Sequence, residues 1–191
     1  MKCRRPPPGT VLVGFMGAGK SSVGRLLARR LGAEFVDVDR RIEAAAGKRI
    51  EEIFSTEGEQ AFREWERKAI REAVSVPGRV IATGGGAFLD GDNRNLLKAY
   101  APVVFLDVSP ATALDRLAGD TSRPLLSGED REKAVTELME RRRPAYQEAD
   151  FRVSTENLPA DRVAEKVFLL ISRGGKSGPS EGNPGRGRRR K

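Results

Sequence analysis

The sequence predicts an α/β fold, a parallel sheet covered by helices on both faces. Three observations predict it. Short apolar runs alternate with longer stretches at helical spacing, the pattern of strand, crossover helix and strand. Val103-Val104-Phe105-Leu106 is continuously apolar, as a strand buried on both faces must be. Gly14-Phe15-Met16-Gly17-Ala18-Gly19-Lys20-Ser21 matches G-x-x-x-x-G-K-[ST], the phosphate-cradling loop between a strand and a helix.

Taken in order, Thr10–Val13 reads as a buried strand and Gly19–Leu31 as the helix behind the loop, with Gly32 as its C-cap. Glu34–Val38 reads as a second strand running into Asp37-Val38-Asp39. Arg40–Ala46 and Ile50–Phe54 read as short helices around Gly47. Glu59–Val74 reads as a longer helix whose inward stripe is Phe62, Glu66, Ala69, Ile70 and Ala73. After the Pro77-Gly78 turn, Arg79–Ala82 is a third strand that enters Gly84-Gly85-Gly86. Asn93–Tyr100 is helical, Val103–Leu106 a strand and Ala111–Ala118 helical. Gly119–Asp130 is a polar loop, followed by a helix at Arg131–Tyr146, a strand at Phe151–Ser154 and a closing helix at Ala160–Ser172. Ligands of such sheets sit beyond the carboxyl ends of the strands. The glycine-lysine loop, the Asp-x-Asp pair and the triple glycine all fall at those ends, so they share one rim.

At 191 residues the chain suits one domain with a single core. It has no histidine and one cysteine, Cys3. Histidine-dependent nucleophilic, acid–base and metal chemistry is excluded, and so is an internal disulfide; a reducing cytoplasm is the expected location. The net charge of +8 is unevenly placed. Residues 174–191 hold six Lys or Arg against one Glu, and residues 1–9 hold three basic residues and no acid, which leaves the body neutral. A basic nucleic-acid-binding face is therefore not expected of the folded body. No apolar run is long enough to span a membrane. The Gly-, Pro- and Arg-rich segment 174–191 reads as a disordered basic tail. Solubilisation is the simpler role for it, and contact with RNA or an acidic surface the alternative. A regulatory nucleotide-binding protein acting through this tail is a further reading, unsupported by the neutral body.

The glycines of the loop let backbone N–H groups turn inward around phosphate oxygens at the positive end of the next helix. Lys20 then reaches the β- and γ-phosphates, and the Ser21 hydroxyl holds Mg²⁺. Asp37 and Asp39, two apart in an extended segment, point to the same side. One carboxylate can hold the water shell of Mg²⁺, and the other can orient an acceptor hydroxyl and take its proton. Leu138, Arg142 and Tyr146 lie at helical spacing, which puts an arginine on an inward stripe, where it needs an anionic partner. Arg63 flanks another inward stripe, one turn before Glu66. An internal Arg63–Glu66 pair and joint binding of a substrate carboxylate by Arg63 and Arg142 both fit. Arg123, within the 119–130 loop, suits a lid arginine that closes over the nucleotide.

The motifs GFMGAGKSSVGRLLARRLG, Asp37-x-Asp39, Gly58-Glu59-Gln60-Ala61-Phe62-Arg63, Gly84-Gly85-Gly86, Arg123-Pro124-Leu125-Leu126 and Arg142-x-Pro144-x-Tyr146, in this order, resemble shikimate kinase over about residues 10–172. The resemblance implies a P-loop kinase fold related to nucleoside monophosphate kinases, with a five-stranded parallel sheet in the order 2-3-1-4-5. It implies transfer of the ATP γ-phosphoryl group to the 3-hydroxyl of shikimate, in aromatic amino-acid biosynthesis. Gly17, Ala18, Gly19, Lys20, Ser21 and Ser22 would line the phosphates, and Ser21 and Asp37 would hold Mg²⁺. Lys20, Asp39 and Arg123 would be catalytic. Asp39, Arg63, Gly84, Gly85, Gly86 and Arg142 would bind shikimate, and Arg116 would lie near the adenine. Residues 40–66 would form the acceptor subdomain and 118–130 the lid, in a monomeric enzyme. Glu156-Asn157-Leu158-Pro159 departs from relatives that carry a basic residue near the adenine, so no contact is assigned there. Another small-metabolite kinase, such as a gluconate kinase, is the alternative reading.

Overall fold

A computed structural model describes residues 9–118 and 131–173. Five parallel strands form one sheet, β1 (Thr10–Val13), β2 (Phe35–Asp37), β3 (Val80–Ala82), β4 (Val103–Asp107) and β5 (Phe151–Ser154), in the order β2-β3-β1-β4-β5. This is the predicted order. Thr10 pairs with Val80 and Val11 with Val103, so β1 lies at the centre. Helices α1 (Lys20–Leu31), α2 (Val38–Ala46), α3 (Ile50–Thr56), α4 (Gly58–Val74), α5 (Gly91–Tyr100), α6 (Pro110–Arg116), α7 (Arg131–Tyr146) and α8 (Ala160–Arg173) make the connections.

Strand alternation divides the core into two layers. Leu12, Val104 and Leu106 face the layer holding Val23 and Leu27 of α1 and Val163, Val167 and Ile171 of α8. Val11, Val13 and Ile81 face the layer holding Ile42, Ile53, Phe62 and Ile70. Val11, Leu12, Val13, Leu27, Ile81, Val104 and Leu106 are 0% exposed, and each such burial is worth about 1.5–3 kcal/mol before entropy is charged. The α4 stripe is as expected: Phe62, Glu66, Ala69, Ile70 and Ala73 are its buried residues.

Three details differ from the sequence reading. β2 stops at Asp37, because Asp37 caps α2 with its side chain on Arg40 N, and Asp39 lies in the first helical turn. The chain from Ala87 to Leu89 is a turn of 3₁₀ helix. On α7 the fully inward line is Val135, Met139 and Tyr146, with Leu138 and Arg142 half-buried at its margin. Residues 1–8, the body of the expected lid at 119–130 with its Arg123-Pro124-Leu125-Leu126, and the tail at 174–191 lie outside the described residues.

Candidate active site

The carboxyl ends of β1, β2 and β3 bring the sequence motifs to one rim, with α7 closing the far side. The loop after β1 requires glycine at its first position. Gly14 has φ 144°, and a β-carbon there would lie 2.5 Å from the Leu106 carbonyl oxygen of the neighbouring strand. Gly17 and Gly19 are also left-handed, Ala18 is buried, and Gly19 caps α1 without a side-chain bond. The first N–H groups of α1 therefore face the loop, the arrangement that binds anions. Lys20 Nζ crosses the loop and donates to Gly14 O at 2.8 Å and Phe15 O at 2.9 Å. Ser21 Oγ donates to Asp37 Oδ2 at 2.6 Å, while Ser22 is exposed beside it.

Asp39 does not share Asp37's strand geometry, which corrects the expectation of an extended same-side pair. Its position in α2 turns it toward the triple glycine: a β-carbon on Gly84 would lie 2.6 Å from Asp39 Oδ1 and 3.2 Å from Glu66 Oε1. Asp37 faces the phosphate loop and Asp39 faces the turn after β3. The two carboxylates thus serve different sides of one cleft.

The turn also receives both arginines. Arg63 Nη1 would be 2.8 Å from a β-carbon on Gly86, and Arg142 Nη1 3.1 Å from one on Gly85. Bare backbone at these positions is what lets two guanidinium groups from α4 and α7 reach adjacent residues. Arg63 is steadied by Glu66 Oε2 at 2.9 Å and by Glu59 Oε1, at 2.9 Å from Nη2 and 3.3 Å from Nε. The Arg63–Glu66 pair weighed from the sequence therefore exists. It still leaves two of the five N–H donors of the guanidinium uncommitted by these bonds. Glu66 is 1% exposed, and its Oε1 has no hydrogen-bond partner. Burial pushes its carboxyl above the usual range, Arg63 pulls it back, and the Asp39 and Asp90 charges add to the rise. Arg142 lies over the Phe15 ring at 5.6 Å, and its buried Nε lacks a partner. Among the described residues no carboxylate is within ion-pair distance of it, so its charge is available to an anion in the cleft.

Arg116 stands behind the phosphate loop. It donates to Gly17 O and Thr155 Oγ1, each at 3.1 Å, and to Thr155 O at 2.8 Å. Glu156 accepts from Ser109 N and from Thr112 Oγ1 at 2.6 Å, which holds its carboxyl below the usual range. Glu156 thus braces Ser109, the N-cap of α6. Sequence reading missed Glu59 and the hydroxyl of Tyr146. Glu59 could have been found from its i−4 spacing to Arg63. Arg123 lies outside the described residues. Among the described residues no three metal-ligating side chains cluster, and no helix is long and apolar enough to cross a membrane.

Comparison with known proteins gives one consistent result. The family model for shikimate kinase matches residues 16–172. The shikimate kinase of Thermodesulfovibrio yellowstonii is 46% identical over 163 residues, covering 85% of this chain and 94% of that one. The structure of Acinetobacter baumannii shikimate kinase in complex with shikimate superposes with a TM-score of 0.84 at 41% identity, covering 89% of this chain and 96% of that chain. A gluconokinase from Sinorhizobium meliloti superposes at a TM-score of 0.58 and 19% identity, a likeness of fold alone.

Proposed function

This chain belongs to the shikimate kinase family, and from that membership we infer how its cleft transfers the γ-phosphoryl group of ATP to the 3-hydroxyl of shikimate. The gluconate kinase alternative has only fold likeness behind it. One observation carries the assignment of roles: guanidinium groups from α4 and α7 converge on adjacent glycines of a turn that Asp39 also faces. A hydroxylated carboxylic acid matches that set, with its carboxylate on the arginines and a hydroxyl on Asp39.

On the donor side, the backbone N–H groups of Gly17, Ala18 and Gly19 and the first turn of α1, with Ser22, hold the phosphates. Lys20 is already inside the loop and balances charge on the β- and γ-phosphates. Ser21 Oγ and Asp37, 2.6 Å apart, offer the hard oxygen donors that would hold Mg²⁺. The metal, when bound, would neutralise charge on the donor phosphates. On the acceptor side, Arg63 and Arg142 fix the carboxylate, the Gly84–Gly86 backbone forms the floor, and Asp39 accepts the proton of the attacking hydroxyl. Arg123, on a lid at 118–130, closes over the donor, and Arg116 lies near the adenine. Residues 40–66 act as the acceptor subdomain of a cytoplasmic monomer. The single cysteine fits a reducing compartment, and the neutral body offers nucleic acid no basic face.

Calorimetric titration of shikimate with and without ADP tests the acceptor and its coupling to the donor side. Arg142→Ala should weaken shikimate by about 10–150-fold, the loss of a charge-assisted bond, while Lys20→Ala should abolish turnover and leave shikimate binding. ADP release that ignores shikimate but follows another hydroxy acid or polyol would overturn the acceptor.

A further inference from the structure

The mechanism above gives no task to the hydroxyl of Tyr146, yet both its ring and its hydroxyl are held in place at the end of α7. The side chain is 3% exposed. Its ring stacks on Phe105, with centroids 5.0 Å apart and planes tilted by 19°, which fixes where the hydroxyl can go. That hydroxyl donates to the Gly85 carbonyl oxygen. Burial raises the phenol's pKa, outweighing the Arg142 charge one helical turn back, which lowers it, so the group stays a donor.

The helix needs such a tie. Pro144 lies inside α7 and has no N–H to give the carbonyl of Glu140, so the turn that carries Arg142 and Tyr146 is one ladder bond short. Tertiary contacts hold it instead. Tyr146 ties it to the triple glycine, and Lys98 Nζ, 2.9 Å from Glu148 O, ties the chain beyond it to α5. A phenol has one proton to donate. Spending it on Gly85 O turns that carbonyl toward α7. In a trans peptide the Gly86 N–H then points the opposite way, to the side away from α7.

We propose that Tyr146 is a positioning residue for the acceptor: its hydroxyl locks the Gly85 peptide and the Arg142 turn into one unit, fixing the carboxylate site before the acid arrives. The proposal rests on the reading of Arg142 as a ligand of the acceptor carboxylate. Tyr146 is buried behind the turn, so its effect passes through Arg142 and the turn.

Tyr146→Phe keeps the stacked ring and removes only the hydroxyl. Steady-state kinetics of the full chain should show the KM for shikimate raised about fivefold, the value of one hydrogen bond, with the KM for ATP and kcat within about twofold. A second readout uses the carboxamide of shikimate, which lacks the charge that Arg142 reads. The preference for acid over amide should shrink in Tyr146→Phe. In an Arg142→Lys background, adding Tyr146→Phe should shrink it no further, since Tyr146 acts through that one contact. A purely structural tyrosine would lower the melting midpoint while leaving both the KM ratio and the acid–amide preference alone, and that result overturns the proposal. If Arg142→Ala itself leaves shikimate affinity unchanged, the carboxylate reading fails with it. If Arg142→Ala weakens binding and Tyr146→Phe does not, only the positioning role falls.

Discussion

Gly86→Ala separates the acceptor site from the fold that carries it. Gly86 has φ −102° and ψ −13°, a conformation alanine adopts without strain. The obstacle lies outside the backbone: the new β-carbon would sit 2.8 Å from Arg63 Nη1 and 3.1 Å from Nη2, against an ordinary contact of 3.4 Å or more. The guanidinium must retreat by about 0.6 Å, and as the end of a flexible side chain it has somewhere to go. Retreat strains the 2.9 Å bond to Glu66 and removes Arg63 from its place over the turn. A misplacement of about 1 Å costs on the order of 10²-fold in productive geometry, so roughly tenfold is the expected rise in KM for shikimate. Alanine at a permitted φ also restricts the unfolded chain, which offsets part of the strain, so the melting midpoint should move by less than about 4 °C. A coupled ADP-release assay at varied shikimate, beside a thermal melt, reads both quantities. A variant with wild-type KM refutes the placement of Arg63 at the acceptor. A variant that melts far lower refutes the claim that the glycine serves the site more than the fold.

Two other outcomes follow from the same geometry. Burial holds the Glu66 carboxyl above its unfolded value, so the folded state binds more protons than the unfolded one in that pH window. Wild type should therefore lose stability relative to Glu66→Gln as pH rises from about 4.5 through the raised value; a wild type that gains over that range contradicts the burial argument. Trp65 is half-buried between Glu64 and Glu66 on α4, with Lys68 Nζ 5.5 Å from its ring centre. Its fluorescence should change on titration with shikimate, and a silent signal beside a calorimetric binding curve would place the acceptor away from this helix.

Strand positions and the donor loop were legible because their signals are local. β1 is an unbroken apolar run before a glycine-rich motif, and the α4 stripe repeats at helical spacing over 17 residues. Asp39 was misjudged in backbone and in its relation to Asp37, since the first turn of α2 sends it to the triple glycine and not to the side Asp37 faces. Asp37 reads equally well as a strand residue or as a helix cap, and only the bond to Arg40 N decides for the cap. What stayed hidden were contacts between groups far apart in sequence. Tyr146 meets Gly85 across 61 residues and Arg116 meets Gly17 across 99, and no periodicity within one element reports on either. Glu59 was within reach of the spacing argument, yet spacing could not say that Arg63 would be held by two carboxylates at once.

The two arginines at the triple glycine have a consequence for the medium the enzyme works in. Cations brought to neighbouring residues, one of them with no acidic partner among the described residues, form a receptor for small anions in general. On the proposed roles of Arg63 and Arg142, sulfate, phosphate and chloride should compete with the acceptor's carboxylate. Apparent affinity for the acid becomes a property of the buffer as well as of the protein, and the anion content of the surrounding solution sets how much of the enzyme stands ready for its acceptor.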